Sequence, residues 1–328
     1  MDIRSIQEFL GDAWTVTKER ISDTLQSDIA LLNSTNSSIL SHSGKQMRPM
    51  LTLLMAKACS DGRITDATID YAAASDLLHN ATLLHDDVAD SSEQRRGEPT
   101  IMSLMGPSVS VLVGDYWLVK AMELILEVEN DQSSRVMKIF AKTLSDLAEG
   151  EMLQLQKAQS GDTTEEDYLR IIYNKTASLF EAACVSAAIS VSAPDEYVRA
   201  AKEYAVALGL AFQIQDDILD YAGTDAVGKP LGADILEQKI TMPLLGAMSN
   251  SDESGVQEIR KKISGISDNR HWRDDIVTFV KENHGLDYAV SRLNEYVESA
   301  ERALDVLPDS EAKSYLIELA HYTAERVM

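Results

Sequence analysis

Cysteine is nearly missing from this chain: Cys59 and Cys184 are the only two in 328 residues, each in Ala-rich helical sequence. Two isolated thiols build no disulfide framework, and their expected state is reduced and buried. Proline and glycine are sparse too, at 7 and 16, and no stretch has the composition of a disordered linker. Basic residues number 30 against 53 acidic ones, and a net charge of -23 excludes a nucleic-acid partner. Long apolar runs are also lacking. The longest uncharged one, Ala182 to Ala193, is well short of a membrane span, so no integral membrane segment is expected. The opening residues, Met1-Asp2-Ile3-Arg4-Ser5-Ile6-Gln7, lack the apolar core of a signal peptide. Together these absences favour a cytoplasmic protein. The last absence is period-2 alternation, and without it there is no case for a half-buried sheet.

What is present is helical periodicity over most of the chain, with 45% apolar residues to fill a core. The reading is an all-α fold, a bundle of ten or more helices around a central cavity. Helices are expected over about 3–27, 28–40, Pro49 to Cys59, and Thr65 to about Ser91. More follow over roughly 108–128, 131–159, 164–192 and 194–221, and shorter ones over 237–249, 253–265, 271–283, 285–305 and 309–327. No domain boundary is evident, so residues 1–328 are read as one domain.

The chemistry starts at Leu83-Leu84-His85-Asp86-Asp87-Val88-Ala89-Asp90. On a helix Asp86 and Asp90 lie four residues apart and share a face, with Asp87 beside them. Carboxylates this close raise one another's pKa unless a cation holds them ionised. Taken alone, the string reads as a solvated acidic face. A second copy changes that: Phe212-Gln213-Ile214-Gln215-Asp216-Asp217-Ile218-Leu219-Asp220-Tyr221 repeats the Asp-Asp-x-x-Asp spacing, again among apolar residues. Two such strings read as two walls of one site for a hard divalent ion such as Mg²⁺, which takes carboxylates and phosphate oxygens as ligands.

Basic residues supply a counterpart. Arg95 and Arg96 follow the first motif, and the guanidinium fork matches phosphate oxygens. Lys45 and Arg48 flank a helix start, where free N–H groups and the positive dipole end favour an anion. Lys175-Thr176 interrupts a helical run, Lys229 and Lys239 follow the second motif, and His79 lies two turns before Asp86. Each reads singly as a surface lysine or arginine, or as a core histidine. As a set they match an acidic, metal-binding set.

At this point the sequence resembles the trans-isoprenyl diphosphate synthase (polyprenyl synthetase) family. The pieces occur in the family's order: Gly44-Lys45-x-x-Arg48-Pro49, His85-Asp86-Asp87-x-x-Asp90, Arg95-Arg96-Gly97, Gly114-Asp115, Lys175-Thr176, Phe212-Gln213-x-x-Asp216-Asp217-x-x-Asp220, Gly228-Lys229-Pro230 and Lys239-Ile240-Thr241-Met242-Pro243. The resemblance implies the isoprenoid synthase fold. It also implies an Mg²⁺-dependent prenyltransferase that condenses isopentenyl diphosphate with an allylic diphosphate, farnesyl or geranylgeranyl. Three Mg²⁺ ions would hold the allylic diphosphate between the Asp walls. Asp86, Asp90 and Asp216 would be direct ligands, and Asp87, Asp217 and Asp220 would act directly or through water. Arg95, Lys175, Lys229 and Lys239 would contact the allylic diphosphate. Lys45, Arg48, His79 and Arg96 would hold isopentenyl diphosphate. Lys175, with Thr176 and Gln213, whose oxygens would face the carbocation, would complete the catalytic set. A homodimer is implied as well, with product passed to membrane enzymes.

Product length would be set on the helix upstream of Asp86. Ala81, with Thr82 beside it, occupies the position five residues before the first Asp, so no aromatic plug stands there. Ala81 lies about 7.5 Å beneath the metal site and Leu77 about 13.5 Å, so Leu77 and Leu78 are the next residues able to narrow the path. The expectation is a medium- or long-chain all-trans product of the kind used as a quinone side chain. The alternatives are a short-chain farnesyl or geranylgeranyl diphosphate synthase, a class I terpene cyclase, or a non-catalytic partner subunit. The cyclase would not need the isopentenyl set, and the partner subunit tends to lose the Asp motifs. The C-terminus, ending Ala324-Glu325-Arg326-Val327-Met328, lacks a closing basic cluster.

Overall fold

The computed structural model describes residues 2–42, 44–95, 97–128, 132–222 and 232–325. Helix accounts for nearly all of its regular structure, as the periodicity requires. In order the helices are α1 (Ile3–Leu10), α2 (Asp12–Thr24), α3 (Ala30–Ser41), α4 (Met47–Ala58), α5 (Asp66–Ala89), α6 (Ile101–Met105), α7 (Pro107–Glu127), α8 (Ser133–Ser160), α9 (Glu165–Ile172) and α10 (Ser178–Ser190). The remainder are α11 (Asp195–Ala222), α12 (Ala233–Leu236), α13 (Met242–Ser249), α14 (Glu253–Ser264), α15 (Trp272–Glu282), α16 (Gly285–Ala303) and α17 (Glu311–Glu325).

Three departures from the expected pattern have local causes. The amphipathic run over 3–27 is broken at Gly11, which takes φ +52° between α1 and α2, a conformation costly for any residue with a Cβ. The polar loop after the first Asp motif forms a minimal hairpin, with β1 (Gln94–Arg95) antiparallel to β2 (Glu98–Pro99). The helical run over 164–192 is interrupted by a π turn, Tyr173–Ala177, where the sequence places Lys175-Thr176.

The chain forms two compact units, each assembled from separate stretches. One comprises Met1–Ala141, Leu179–Lys202 and Val306–Leu316. Its central element is α5, buried at every position from Ala67 to Leu78 and packed by α2, α4 and α7. The start of α5 follows from its sequence: Thr65 and Thr68 form a reciprocal capping box that satisfies two end-of-helix N–H groups. Asp70, nearly buried on this helix, is paired with Arg20 of α2.

The second unit comprises Lys142–Ser178, Glu203–Asp305 and Ile317–Met328. Here α13 is buried from Met242 to Met248, opens with Pro243 in its first turn, and packs on α15 and α16. Gly285 lets α16 approach so closely that a Cβ there would stand 2.1 Å from the Pro243 carbonyl oxygen. A capping box of Thr164 and Asp167 fixes the start of α9.

Candidate active site

In the first unit α5 delivers His85, Asp86 and Asp87 from its last turns, and Asp90 is the residue that caps it. The three carboxylates do not share one environment. Asp87 is 4% exposed, and its Oδ1 accepts a 2.8 Å hydrogen bond from Nε of Arg95 in β1. Burial raises the Asp87 carboxyl above its ordinary value, and the Arg95 guanidinium offsets only part of that rise. Asp86 is half-buried and Asp90 exposed. Arg95, expected on the diphosphate, is held by Asp87, and Arg96 lies outside the described residues.

The Gly114-Asp115 pair has a structural explanation. A Cβ on Gly114 would stand 2.5 Å from Nε2 of His85, so glycine lets α7 pass the imidazole. Asp115 Oδ1 lies 3.2 Å from the same nitrogen. Ala81, Leu77 and Leu78 are fully buried, with Thr82 half-buried beside them. Lys45 is exposed, Arg48 and His79 are half-buried, and the Arg48 guanidinium lies 4.8 Å from the centre of the Phe180 ring.

In the second unit the π turn carries Lys175 and Thr176. A π turn inserts one extra residue into a helix and re-aims the side chains there. Lys175 Nζ donates to Gln154 Oε1 at 2.9 Å and pairs with Glu151 at 2.6 Å, both on α8. Thr176 Oγ1 donates to Gln213 Oε1 at 2.8 Å, and Gln213 Nε2 donates to Asp217 Oδ1 at 3.0 Å. The other Asp217 oxygen accepts a 2.6 Å hydrogen bond from the Tyr168 hydroxyl. Thr176, Gln213, Asp217 and Tyr168 thus form one continuous chain.

Burial first, and then the charge of Asp234, push the Asp217 carboxyl well above the carboxylate range, against the pull of Tyr168 and Gln213. The Tyr168 hydroxyl is raised well above its ordinary value by burial and by Asp217. Asp220 also organises local structure: its carboxylate accepts the N–H groups of Ala233 at 3.0 Å and Asp234 at 3.3 Å, fixing the start of α12. Lys239 pairs with Glu237 and, at 3.7 Å, with Asp234. Lys175, Gln213, Asp217, Asp234 and Lys239 line a cavity of about 110 Å³ whose other wall includes Ile171 and Ile240. Lys229, with Gly228 and Pro230, lies outside the described residues.

The two motifs therefore share one internal logic. Each middle aspartate is buried and engaged by protein donors, while Asp86 and Asp216 stay half-buried at the surface of their helices. Among the described residues no three His, Cys, Asp or Glu side chains form a ready-made metal cage. The donor chemistry nonetheless fits a hard cation, because the all-oxygen set of Asp216, Asp217 and Asp234 carries repulsion that a nearby positive charge would relieve.

Sequence reasoning missed Asp234, Tyr168, Gln154 and two glycines. For Asp234 and Tyr168 no sequence signal was available, since each stands alone. Gly150 and Gly209 did carry one: an isolated glycine inside a strong helical pattern usually has a packing reason. A Cβ on Gly150 would stand 2.8 Å from the Asn174 Cβ, and one on Gly209 would stand 2.5 Å from the Ala177 Cα.

Comparison with known proteins gives this arrangement its class. Solved structures similar to this one include a decaprenyl diphosphate synthase from Rhodobacter capsulatus, with a TM-score of 0.92 and 35% identity over 100% of both chains. Another is a polyprenyl synthase from Caulobacter crescentus CB15, complexed with calcium and isoprenyl diphosphate, with a TM-score of 0.90 and 32% identity over 100% of this chain and 98% of that one. The fold is therefore the all-α fold of the isoprenoid synthases. Residues 29–278 match the polyprenyl synthetase family. Octaprenyl diphosphate synthase of Haemophilus influenzae is 37% identical over 327 residues, 99% of this chain and 98% of the relative. The chain belongs to the polyprenyl synthetase family and is a transferase of prenyl groups.

Proposed function

We propose that this prenyltransferase condenses isopentenyl diphosphate head-to-tail with an allylic diphosphate, farnesyl or geranylgeranyl, and repeats the step to a medium- or long-chain all-trans polyprenyl diphosphate. The observation that carries the reading is the hydrogen-bonded chain Thr176–Gln213–Asp217–Tyr168, whose last three members line a partly apolar cavity together with Lys175. It fixes oxygen atoms at one place and a cation next to them, as ionisation of an allylic diphosphate demands. The small, fully buried Ala81 supports a long product, as do relatives named for octaprenyl and all-trans-nonaprenyl products.

Mg²⁺, three ions with substrate present, is the metal of this reading; Asp86, Asp90 and Asp216 would hold it, and it would supply the positive charge that stabilises a departing diphosphate. The chain's own residues do the rest. Lys175, Lys229, Lys239 and Arg95 neutralise the allylic diphosphate, and Asp87 and Asp217 hold Arg95 and Gln213 in place. Isopentenyl diphosphate is held by Lys45, Arg48, His79 and Arg96. The allylic C–O bond breaks to give a carbocation and free diphosphate. The double bond of isopentenyl diphosphate then attacks, forming the new C–C bond, and a proton from the adjacent carbon passes to the released diphosphate. The oxygens of Thr176 and Gln213 face the cation, and the apolar wall keeps out water that would quench it.

The chain acts as a homodimer in the cytoplasm and hands its product to membrane enzymes. Support for the dimer comes from α7, which exposes Leu112, Val119 and Leu126 at 67%, 51% and 63%, seven residues apart on one stripe. No helix among the described residues is long and apolar enough to cross a membrane.

The test is incubation with isopentenyl diphosphate, Mg²⁺ and either farnesyl or geranylgeranyl diphosphate, followed by chain-length analysis. Products beyond twenty carbons are expected. A stop at fifteen or twenty carbons would overturn the chain length, and turnover without isopentenyl diphosphate would overturn the reaction.

A further inference from the structure

Between the two cations of the Lys45–Arg48 turn stands a residue in an unusual conformation. Gln46 has φ 49° and ψ 50°, the left-handed region, and is the residue from which α4 springs at Met47. For a side chain with a Cβ this region is unfavourable, so something in the fold must hold Gln46 there. The restraint visible on it is Asp76. Gln46 Nε2 donates to Asp76 Oδ2 at 2.9 Å, and Asp76 is 2% exposed on α5. A buried carboxylate is costly unless it is hydrogen-bonded, and an acceptor carrying charge makes the stronger bond. The backbone at Asp76 is itself tied down, its carbonyl accepting from Asn80 Nδ2 at 2.8 Å.

We propose that Asp76 is a positioning residue for isopentenyl diphosphate. Through its bond to Gln46 it keeps that residue left-handed, and so sets the angle at which the chain carrying Lys45 enters the helix carrying Arg48. The sequence spacing agrees with this role, because Asp76 lies one helical turn before His79, the third residue of the same anion set. Arg48 is meanwhile steadied from α10 by the Phe180 ring. An acidic side chain inside a basic, anion-binding set thus acts as the anchor of the turn and not as a ligand. The inference rests on the assignment of Lys45, Arg48 and His79 to isopentenyl diphosphate.

The experiment uses the full chain and varies the two substrates separately. Asp76→Ala and Gln46→Ala are expected to raise KM for isopentenyl diphosphate about tenfold, a loss of about 1.4 kcal/mol. KM for the allylic diphosphate and kcat should stay within about twofold, a separation that general destabilisation would not produce. Asp76→Asn keeps an oxygen for Gln46 Nε2 and should restore KM to near the wild-type value. Amide hydrogen exchange over residues 45–50 should quicken in both alanine variants and not in Asp76→Asn, a readout independent of substrate. Should Asp76→Ala fail to fold, the half-buried Gln46→Ala carries the test. Unchanged isopentenyl KM with unchanged exchange, equal losses for both substrates, or failure of Asp76→Asn to rescue would each overturn the proposal. Faster exchange in the alanine variants, in a protein whose wild type never uses isopentenyl diphosphate, would overturn the parent assignment while leaving the Asp76 anchor standing.

Discussion

Gly209 of α11 lies against Ala177 of the π turn, so near that a Cβ on the glycine would stand 2.5 Å from the Ala177 Cα. One residue before Ala177 is Thr176, and one turn after Gly209 is Gln213; the two share the 2.8 Å hydrogen bond. The missing side chain is therefore what lets α11 come close enough for Gln213 to reach the turn.

Gly209→Ala tests that relationship. Helix propensity alone favours alanine by about 1 kcal/mol. Overpacking against a backbone atom costs roughly 1–3 kcal/mol or more, because backbone cannot rotate aside as a side chain can. The expected result is a lower Tm and a marked loss of kcat. A Tm at or above wild type with full activity would show that the close approach is dispensable.

The aspartates within one motif should separate by phenotype. Asp86→Ala is expected to abolish turnover while leaving Tm within a few degrees. Asp87→Ala should lower both, since it strips the Arg95 guanidinium of a charge-assisted bond to a 4% exposed partner, of the kind worth about 1.5–3 kcal/mol. Chelation with EDTA should mimic Asp86→Ala and reverse on adding Mg²⁺. Near-normal rates in Asp86→Ala would sink the metal assignment.

Product length should respond to Trp117 as well as to Ala81. The α7 stripe that faces α5 includes Ser110, whose hydroxyl donates to the Leu84 carbonyl at 2.8 Å, and Gly114, which passes His85. The two helices pack extensively on each other, and Trp117, further along α7, is as fully buried as Ala81 on α5. Its indole N–H donates to Asn36 Oδ1 at 2.8 Å, and Asn36 Nδ2 donates to the Leu25 carbonyl at 2.9 Å. Trp117→Ala should lengthen the product, Asn36→Ala should broaden its distribution, and Ala81→Phe should shorten it. Identical chain lengths from all three folded variants would remove this region from length control.

Neither thiol should react in the native state. Burial pushes Cys59 up to about 12 and Cys184 higher still, so almost no thiolate exists near neutral pH. Titration with an aromatic disulfide reagent at pH 8 should find two thiols only after unfolding. The sign for stability follows from the same shift. An unfolded thiol ionises near pH 8.5 and a folded one much later, so this contribution is present below about pH 8.5 and is lost as pH rises toward 12. A denaturant midpoint that rose between pH 8 and 10 in wild type, but not in Cys59→Ala, would contradict that sign.

Much of this protein was legible in its sequence. All-α architecture, the start of α5 at Thr65 and the two acidic strings all follow from local rules: periodicity, capping and the cost of crowded like charges. Those rules act over one or two turns, which is why a reader of the chain can apply them.

Division of labour among the aspartates was not legible. Local pattern alone puts two Asp-Asp-x-x-Asp strings on helices, with Asp86 and Asp216 at matching positions. That Asp87 meets Arg95, that Asp217 meets Tyr168 and Gln213, and that Asp220 holds the start of α12 came from the packing of distant segments. The reason is physical. Spacing along a helix sets which face a carboxyl shares, whereas its burial and its donors come from segments up to tens of residues away, and their approach depends on single glycines such as Gly150 and Gly209.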